Sequence, residues 1–309
     1  MSDRLPPPEI HTPYDGKSKP FTVGARPLDP DQWVEVDDNL LSYLAEKERL
    51  YREIPDRVMA AEEETLEAQV EVLTLLADYL PKHFPEIYQR KGEIISILGG
   101  QRRVDLQAAG LSPLSIAGKL VQEDLLLMRR SQAGWRLAAA TLCFPSAWKL
   151  QEKFGKLLHQ VHQPVPGFGE GTRNAVLIER MFDNLRPEQP MMRWNWSLHG
   201  NMRLYHPDSH HGPGSRFGDG DIRNHVILRL ERQTLRKLPK SGDILFTVRI
   251  HLNPLEILES LAEGPELALA INDQLQSLSL DEAAYKGITN ERERLAQRLG
   301  QIAKGNHNG

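Results

Sequence analysis

Three consecutive segments late in the chain alternate residue types with a period of two: MMRWNWSLHGNMRLYH (191–206), HVILRLERQTLRKL (225–238) and DILFTVRIHL (243–252). In the first, Met192, Trp194, Trp196 and Leu198 alternate with Arg193, Asn195 and Ser197. In the third, Ile244, Phe246, Val248 and Ile250 alternate with Leu245, Thr247, Arg249 and His251. Successive side chains of an extended strand point to opposite faces, so the pattern predicts a half-buried antiparallel sheet. Two more strands are expected upstream, in LVQEDLLLMRR and WRLAAATLCFP, where the intervening SQAG reads as a hairpin turn.

Helical periodicity occupies much of the rest. The stretch DNLLSYLAEKERLYREIPDRVMAAEEETLEAQVEVLTLLADYL (38–80) sets Leu66, Val70, Leu73 and Ala77 on one side and acidic residues on the other. Pro55 is expected to split it into two helices and Pro81 to end the second. SAWKLQEKFGKLLHQVH (146–162) and RNAVLIERMFDNL (173–185) read as further helices, and helices return after NPLEIL. The order helices, two strands, helices, three strands, helices predicts an α+β fold. Its parts are an extended arm (1–38), an N-terminal helical region packed on the core (39–118), a sheet-bearing core (119–258), and C-terminal helices with a tail (259–309).

Bulk properties exclude some functions. A formal charge of −4 and a pI near 6.3 give no global attraction to nucleic acid or anionic membranes. The single cysteine, Cys143, rules out a disulfide framework or an all-cysteine metal site within this chain. The opening MSDRLPPPEIHTPYDG lacks the apolar stretch of a signal peptide, and no apolar run is long enough to span a bilayer. A cytoplasmic, soluble protein is expected.

Several residues invite a chemical reading. HQVHQPVPGFGEG (159–171) places two imidazoles at a helix end followed by prolines. With Leu150, Phe154, Leu157, Leu158 and Val161 as the buried stripe, a helical step puts His162 beside the stripe and His159 nearly opposite. Gln163 precedes Pro164 and so disfavours helix, which makes His162 nearly the last helical residue. It is either a metal ligand held by a rigid exit or a capping histidine at the surface. Arg193 lies opposite two tryptophans on its strand. Glu231 and Arg232 are adjacent, so they face opposite ways unless the strand bulges. Cross-strand ion pairs would account for all three. Trp194 and Trp196 suit either core or a cavity wall.

Other candidates have plainer readings. His206, His210 and His211 sit on a Gly/Pro-rich loop without the spacing of a defined metal site. Cys143, at the end of TLCFP, reads as a small buried hydrophobe. Ser146 opens an S-x-x-K match but stands where a helix N-cap belongs. GFGEG lacks the preceding strand and the Lys-Ser/Thr of a phosphate loop.

Four stretches resemble a known family, the haem-dependent oxidative N-demethylase alpha-subunit-like proteins. They are LVQEDLLLM (120–128), CFPSAWKLQEKFGKLLHQVHQPVP (143–166), RWNW (193–196) and ERQTLRKLPKSGDILFTVR (231–249), in family order. The resemblance implies a Per-Arnt-Sim-like antiparallel sheet with flanking helices, binding haem b through a histidine. It further implies O2-dependent removal of a methyl group from a small, dimethylamine-like secondary amine, with release of formaldehyde. Electrons would come from partner subunits carrying flavin and an iron–sulfur cluster. On this reading His162 is the haem-iron ligand, Trp194 and Trp196 form a wall of the haem cavity, and Arg193, Glu231 and Arg232 serve the distal side. Ile250-His251 departs from the Thr-Tyr that the family pattern has after FTVR. A non-catalytic haem or gas sensor of the same fold, and a cofactor-free docking protein using its acidic helices, are the competing readings.

Overall fold

A seven-stranded antiparallel sheet organises the computed structural model, in which residues 5–208 and 216–305 are described. The elements run β1 (Arg26–Pro27), α1 (Leu40–Glu53), α2 (Pro55–Val58), β2 (Met59–Ala61), α3 (Leu66–His83), β3 (Tyr88–Lys91), β4 (Ile94–Ile97) and β5 (Arg102–Asp105). There follow α4 (Pro113–Gly118), β6 (Asp124–Ser131), β7 (Gly134–Thr141), α5 (Leu150–Lys153), α6 (Leu158–His162) and α7 (Arg173–Asn184). The chain ends with β8 (Met191–His199), β9 (Ile227–Lys237), β10 (Ile244–Pro254), α8 (Gly264–Ser277), α9 (Leu280–Tyr285) and α10 (Arg292–Ala303). The large sheet has the order β1-β8-β9-β10-β6-β7-β2, and β3-β4-β5 form a second, three-stranded sheet. All its pairings are antiparallel. The protein is therefore α+β with antiparallel sheets and flanking helices, as the period-two segments require.

Register decides which side chains meet. Arg193 pairs with Gln233 and Asn195 with Glu231 across β8 and β9, while Glu231 pairs with Ile250 across β9 and β10. Arg193, Asn195, Glu231, Gln233, Phe246 and Val248 thus share one face. Trp194, Trp196, Arg232, Arg249 and His251 share the other. The first face packs under α5, α6 and α7, where Leu126, Met128, Leu235 and Ile244 meet Leu150, Leu158, Ile178 and Phe182. The reverse face is covered by α3 and α4 at one end and by α8 and α10 at the other. The N-terminal arm is part of that cover, since Tyr14 and Trp33 are fully buried.

The sheet is consequently not half-buried as the alternation suggests. Thr247, Arg249 and His251 are 2%, 1% and 5% exposed. Polar side chains survive on a covered face because partners reach them: Thr247 shares a hydroxyl hydrogen bond of 2.6 Å with Thr234, and Arg249 pairs with Asp37 at 2.7 Å.

Other departures are local. Helix α1 stops before Pro55, which becomes the first residue of α2, the position where a missing N–H costs nothing. Met59–Ala61, within the predicted helical stretch, instead forms an edge strand on β7. Pro81 does not end α3, which runs on to His83. Leu66 and Val70 are 56% and 47% exposed, and α3 buries Ala68, Val72, Leu76 and Leu80 with Leu73 and Ala77. Residues 88–105 hold the small sheet, where helix was expected. No helix among the described residues is long and apolar enough to cross a membrane.

Candidate functional site

The helix predicted over 146–162 is broken at Gly155, whose φ of +75° lies in the left-handed region open to glycine. The break lets the chain hook onto β7: Gly155 N–H donates to the Leu137 carbonyl (2.8 Å) and Leu137 N–H to the Lys156 carbonyl (3.1 Å). Helices α5 and α6 are therefore single turns anchored on the sheet, and α6 ends at His162. The His162 ring lies tilted beside Phe168, with ring centroids 6.1 Å apart. Its Nδ1 lies 2.9 Å from the Leu158 carbonyl. Only a protonated Nδ1 can donate to a carbonyl, so the lone pair sits on Nε2, which makes no hydrogen bond among the described residues. Burial, reinforced by the positive charges of Lys153 and Arg193, lowers the His162 pKa to about 4. The half-buried ring is thus neutral near pH 7 and has the tautomer that metal-bound histidines adopt, with the other nitrogen committed to the backbone.

Around His162 the first face of the sheet gathers charge. Glu231 is buried and accepts from Gln233 Nε2 at 2.6 Å. Arg193 donates to the Thr22 carbonyl at 3.3 Å, while its Nε is buried without a partner. Lys153 lies over the Trp148 ring at 4.4 Å. Lys286, just past α9, donates to the Trp196 carbonyl at 2.8 Å and stands over the Phe21 ring at 5.3 Å. Burial lowers the pKa of both lysines to about 8, against the opposing pull of Glu231. Lys153, Gln233 and Lys286 escaped the sequence reading. Gln233 was recoverable, two residues from Glu231 on the same strand face; Lys286 carried no local signal.

The six candidate site residues separate by face. His162, Arg193 and Glu231 come together; Trp194, Trp196 and Arg232 do not join them. Strand alternation without a bulge between β8 and β9 sets that division, although Lys286 Nζ, under the pull of Glu231, also stands 5.0 Å from the Trp196 ring. Trp196 packs edge-on against Tyr14 at 6.1 Å, Trp194 lies 4.5 Å from the His11 ring, and Arg232 pairs with Glu35 at 2.7 Å.

Cys143 is buried, and its backbone N–H donates to Asp124 at 2.8 Å; burial and the Asp124 charge push the thiol up to about 12. A thiol so resistant to ionisation is a structural residue. Ser146 is not a helix cap: α5 starts later, and Ser146 Oγ accepts from Arg229 Nε at 2.8 Å. His206 contacts Asn201 at 3.0 Å, whereas His210 and His211 lie outside the described residues. Two surface clefts of about 470 and 480 Å³ are lined by Arg129, Asp183 and Asp243 and by Asp56, Trp148 and Tyr205 respectively. His162 lines neither of these two clefts.

Fold and site define a class: an α+β protein whose antiparallel sheet presents, on one covered face, a neutral imidazole with a free Nε2 among charged groups. A family model described as haem-dependent oxidative N-demethylase, alpha subunit-like, matches residues 24–296. The chain belongs to that family. The description carries a haem cofactor, oxidative demethylation chemistry and, in the words alpha subunit, an assembly with other subunits.

Proposed function

We propose that the protein is the haem b-binding subunit of an oxygen-dependent amine N-demethylase, with His162 as the residue that would hold the haem iron. The observation that carries this reading is the Nδ1–Leu158 contact, which leaves a neutral Nε2 free within the influence of Lys153 and Arg193. The strands β6 and β7 followed, after helices, by β8, β9 and β10 support a Per-Arnt-Sim-like arrangement, with β6 paired to β10.

Bound there, haem would supply O2 binding and oxidation. The overall change is balanced as a secondary amine, O2, two electrons and two protons giving the demethylated amine, formaldehyde and water. The electrons would come from a partner subunit with flavin and an iron–sulfur cluster, since one cysteine cannot hold the cluster. Glu231 would attract the ammonium form of a dimethylamine-like substrate, with Gln233 orienting its carboxylate. Arg193, whose Nε lacks a partner, would present a hydrogen-bond donor beside the cofactor, and Lys153 and Lys286 would neutralise acidic groups of the cofactor. Arg232, tied to Glu35 and to the Trp33 carbonyl, would act from the reverse face only through the strand it stabilises.

Absorption spectra of the wild type and His162→Ala test the reading. The wild type should show a Soret band that shifts on adding dimethylamine, and the variant should lose the axially ligated spectrum. An unchanged five-coordinate signal in the variant would refute the ligand assignment. A haem-bound protein that ignores amine would favour the sensor.

A further inference from the structure

On the reverse face of the sheet, remote from His162, three side chains converge that the demethylase reading does not use. They are His11 from the arm, Glu35 from the segment before α1, and His251 from β10. We propose that they form a binding site for a divalent first-row transition ion such as Zn2+, which clasps the N-terminal arm to the sheet.

The geometry carries the argument. His251 Nε2 lies 3.0 Å and His11 Nε2 3.4 Å from the same oxygen, Glu35 Oε2, and one donor atom from each residue falls within 4.8 Å of the others. Two ligands on a tetrahedral ion, each about 2.0–2.1 Å from it, stand about 3.3 Å apart. These same three atoms, His11 Nε2, His251 Nε2 and Glu35 Oε2, are buried and make no hydrogen bond of acceptable geometry. Buried lone pairs facing one another are costly unless a positive charge lies among them. One proton serves one pair, whereas one metal ion serves all three.

The surroundings fit a ligand set. Arg232 Nε donates to the other carboxylate oxygen, Glu35 Oε1, at 2.7 Å, and so orients Oε2 toward the imidazoles. The Glu35 N–H is fixed by Glu123 at 3.3 Å. Trp194 braces both rings, 4.5 Å from His11 and 5.9 Å from His251. The adjacent Arg249 is matched by Asp37 at 2.7 Å, so its charge is largely spent before it reaches the site. Two imidazoles and a carboxylate suit zinc, iron, nickel or copper in preference to magnesium or calcium.

The test uses the full-length chain, stripped by chelator and then titrated with ZnCl2 in a calorimeter, with bound zinc counted by mass spectrometry after dialysis. The wild type should take up one zinc per chain and unfold at a higher temperature when loaded. His11→Ala, Glu35→Gln and His251→Ala should each weaken uptake at least about ten-fold, while His206→Ala, at another imidazole, should leave it unchanged. Glu35→Gln preserves volume, and circular dichroism checks that each variant folds. Absence of zinc uptake by the wild type, or uptake surviving all three substitutions, would overturn the proposal. Because the site is on the opposite face from His162, that failure leaves the haem spectrum as an independent readout.

Discussion

Lysine 286 illustrates how a single residue reports on the site. Burial places its pKa at about 8, below the ordinary 10.5, although Glu231 pulls the other way. Between those values the unfolded chain holds the proton and the folded chain does not, so stability should rise as pH increases from 8 to 10.5. Below pH 8 both states are protonated and the penalty is constant. Replacing Lys286 with Met should remove about 2 kcal/mol of that rise, a figure discounted for the partial exposure of the side chain. Urea midpoints of both proteins across the range measure it; equal slopes would mean that Lys286 is solvated as an ordinary surface lysine. At this scale the place of His162 as the last residue of its helix was readable from sequence, because the proline exit limits where the helix ends. Its deciding property, the committed Nδ1, was not readable, since it depends on how the last turn closes.

At the scale of elements, the hook at Gly155 sets where α5 and α6 sit. A Cβ there would meet no atom within 4 Å, so Gly155→Ala is opposed by backbone conformation alone, not by a clash. It should cost about 1 kcal/mol, seen as a lowered urea midpoint with an unchanged slope. A neutral result would indicate that the turn relaxes out of the left-handed region without loss. The strands were legible because alternation over nine to eleven residues has one structural meaning, and β8, β9 and β10 occupy the segments that showed it. The long helix over 146–162 was misread because its apolar spacing suits a helix, while the hydrogen bonds that break it come from β7, distant in sequence. β3–β5 went unseen for a related reason: their four-residue strands are too short to display a period.

For the whole molecule, the N-terminal arm is structural cover and not a loose extension. Tyr14 is fully buried against Trp196, and its carbonyl accepts from Gln274 in α8 at 2.8 Å. Tyr14→Ala should cost about 3–5 kcal/mol through the cavity it leaves. Tyr14→Phe should be neutral or slightly stabilising, because the Tyr14 hydroxyl is buried without a partner. Chemical denaturation of the two variants separates the contributions, and a marked loss in the phenylalanine variant would reveal a hydroxyl contact.

The sequence by itself determined the α+β class, the strands, and which residues along each strand point the same way, because side-chain period is a local property of the backbone. It also singled out His162, Arg193 and Glu231 as candidates. Tertiary structure alone decided what covers each face: that Trp194, Trp196 and Arg232 look away from His162, that Lys153 and Lys286 join Glu231, and that His11 and Glu35 meet His251. Those meetings are between residues as far as 240 positions apart. They follow from packing and register, which no window of sequence contains.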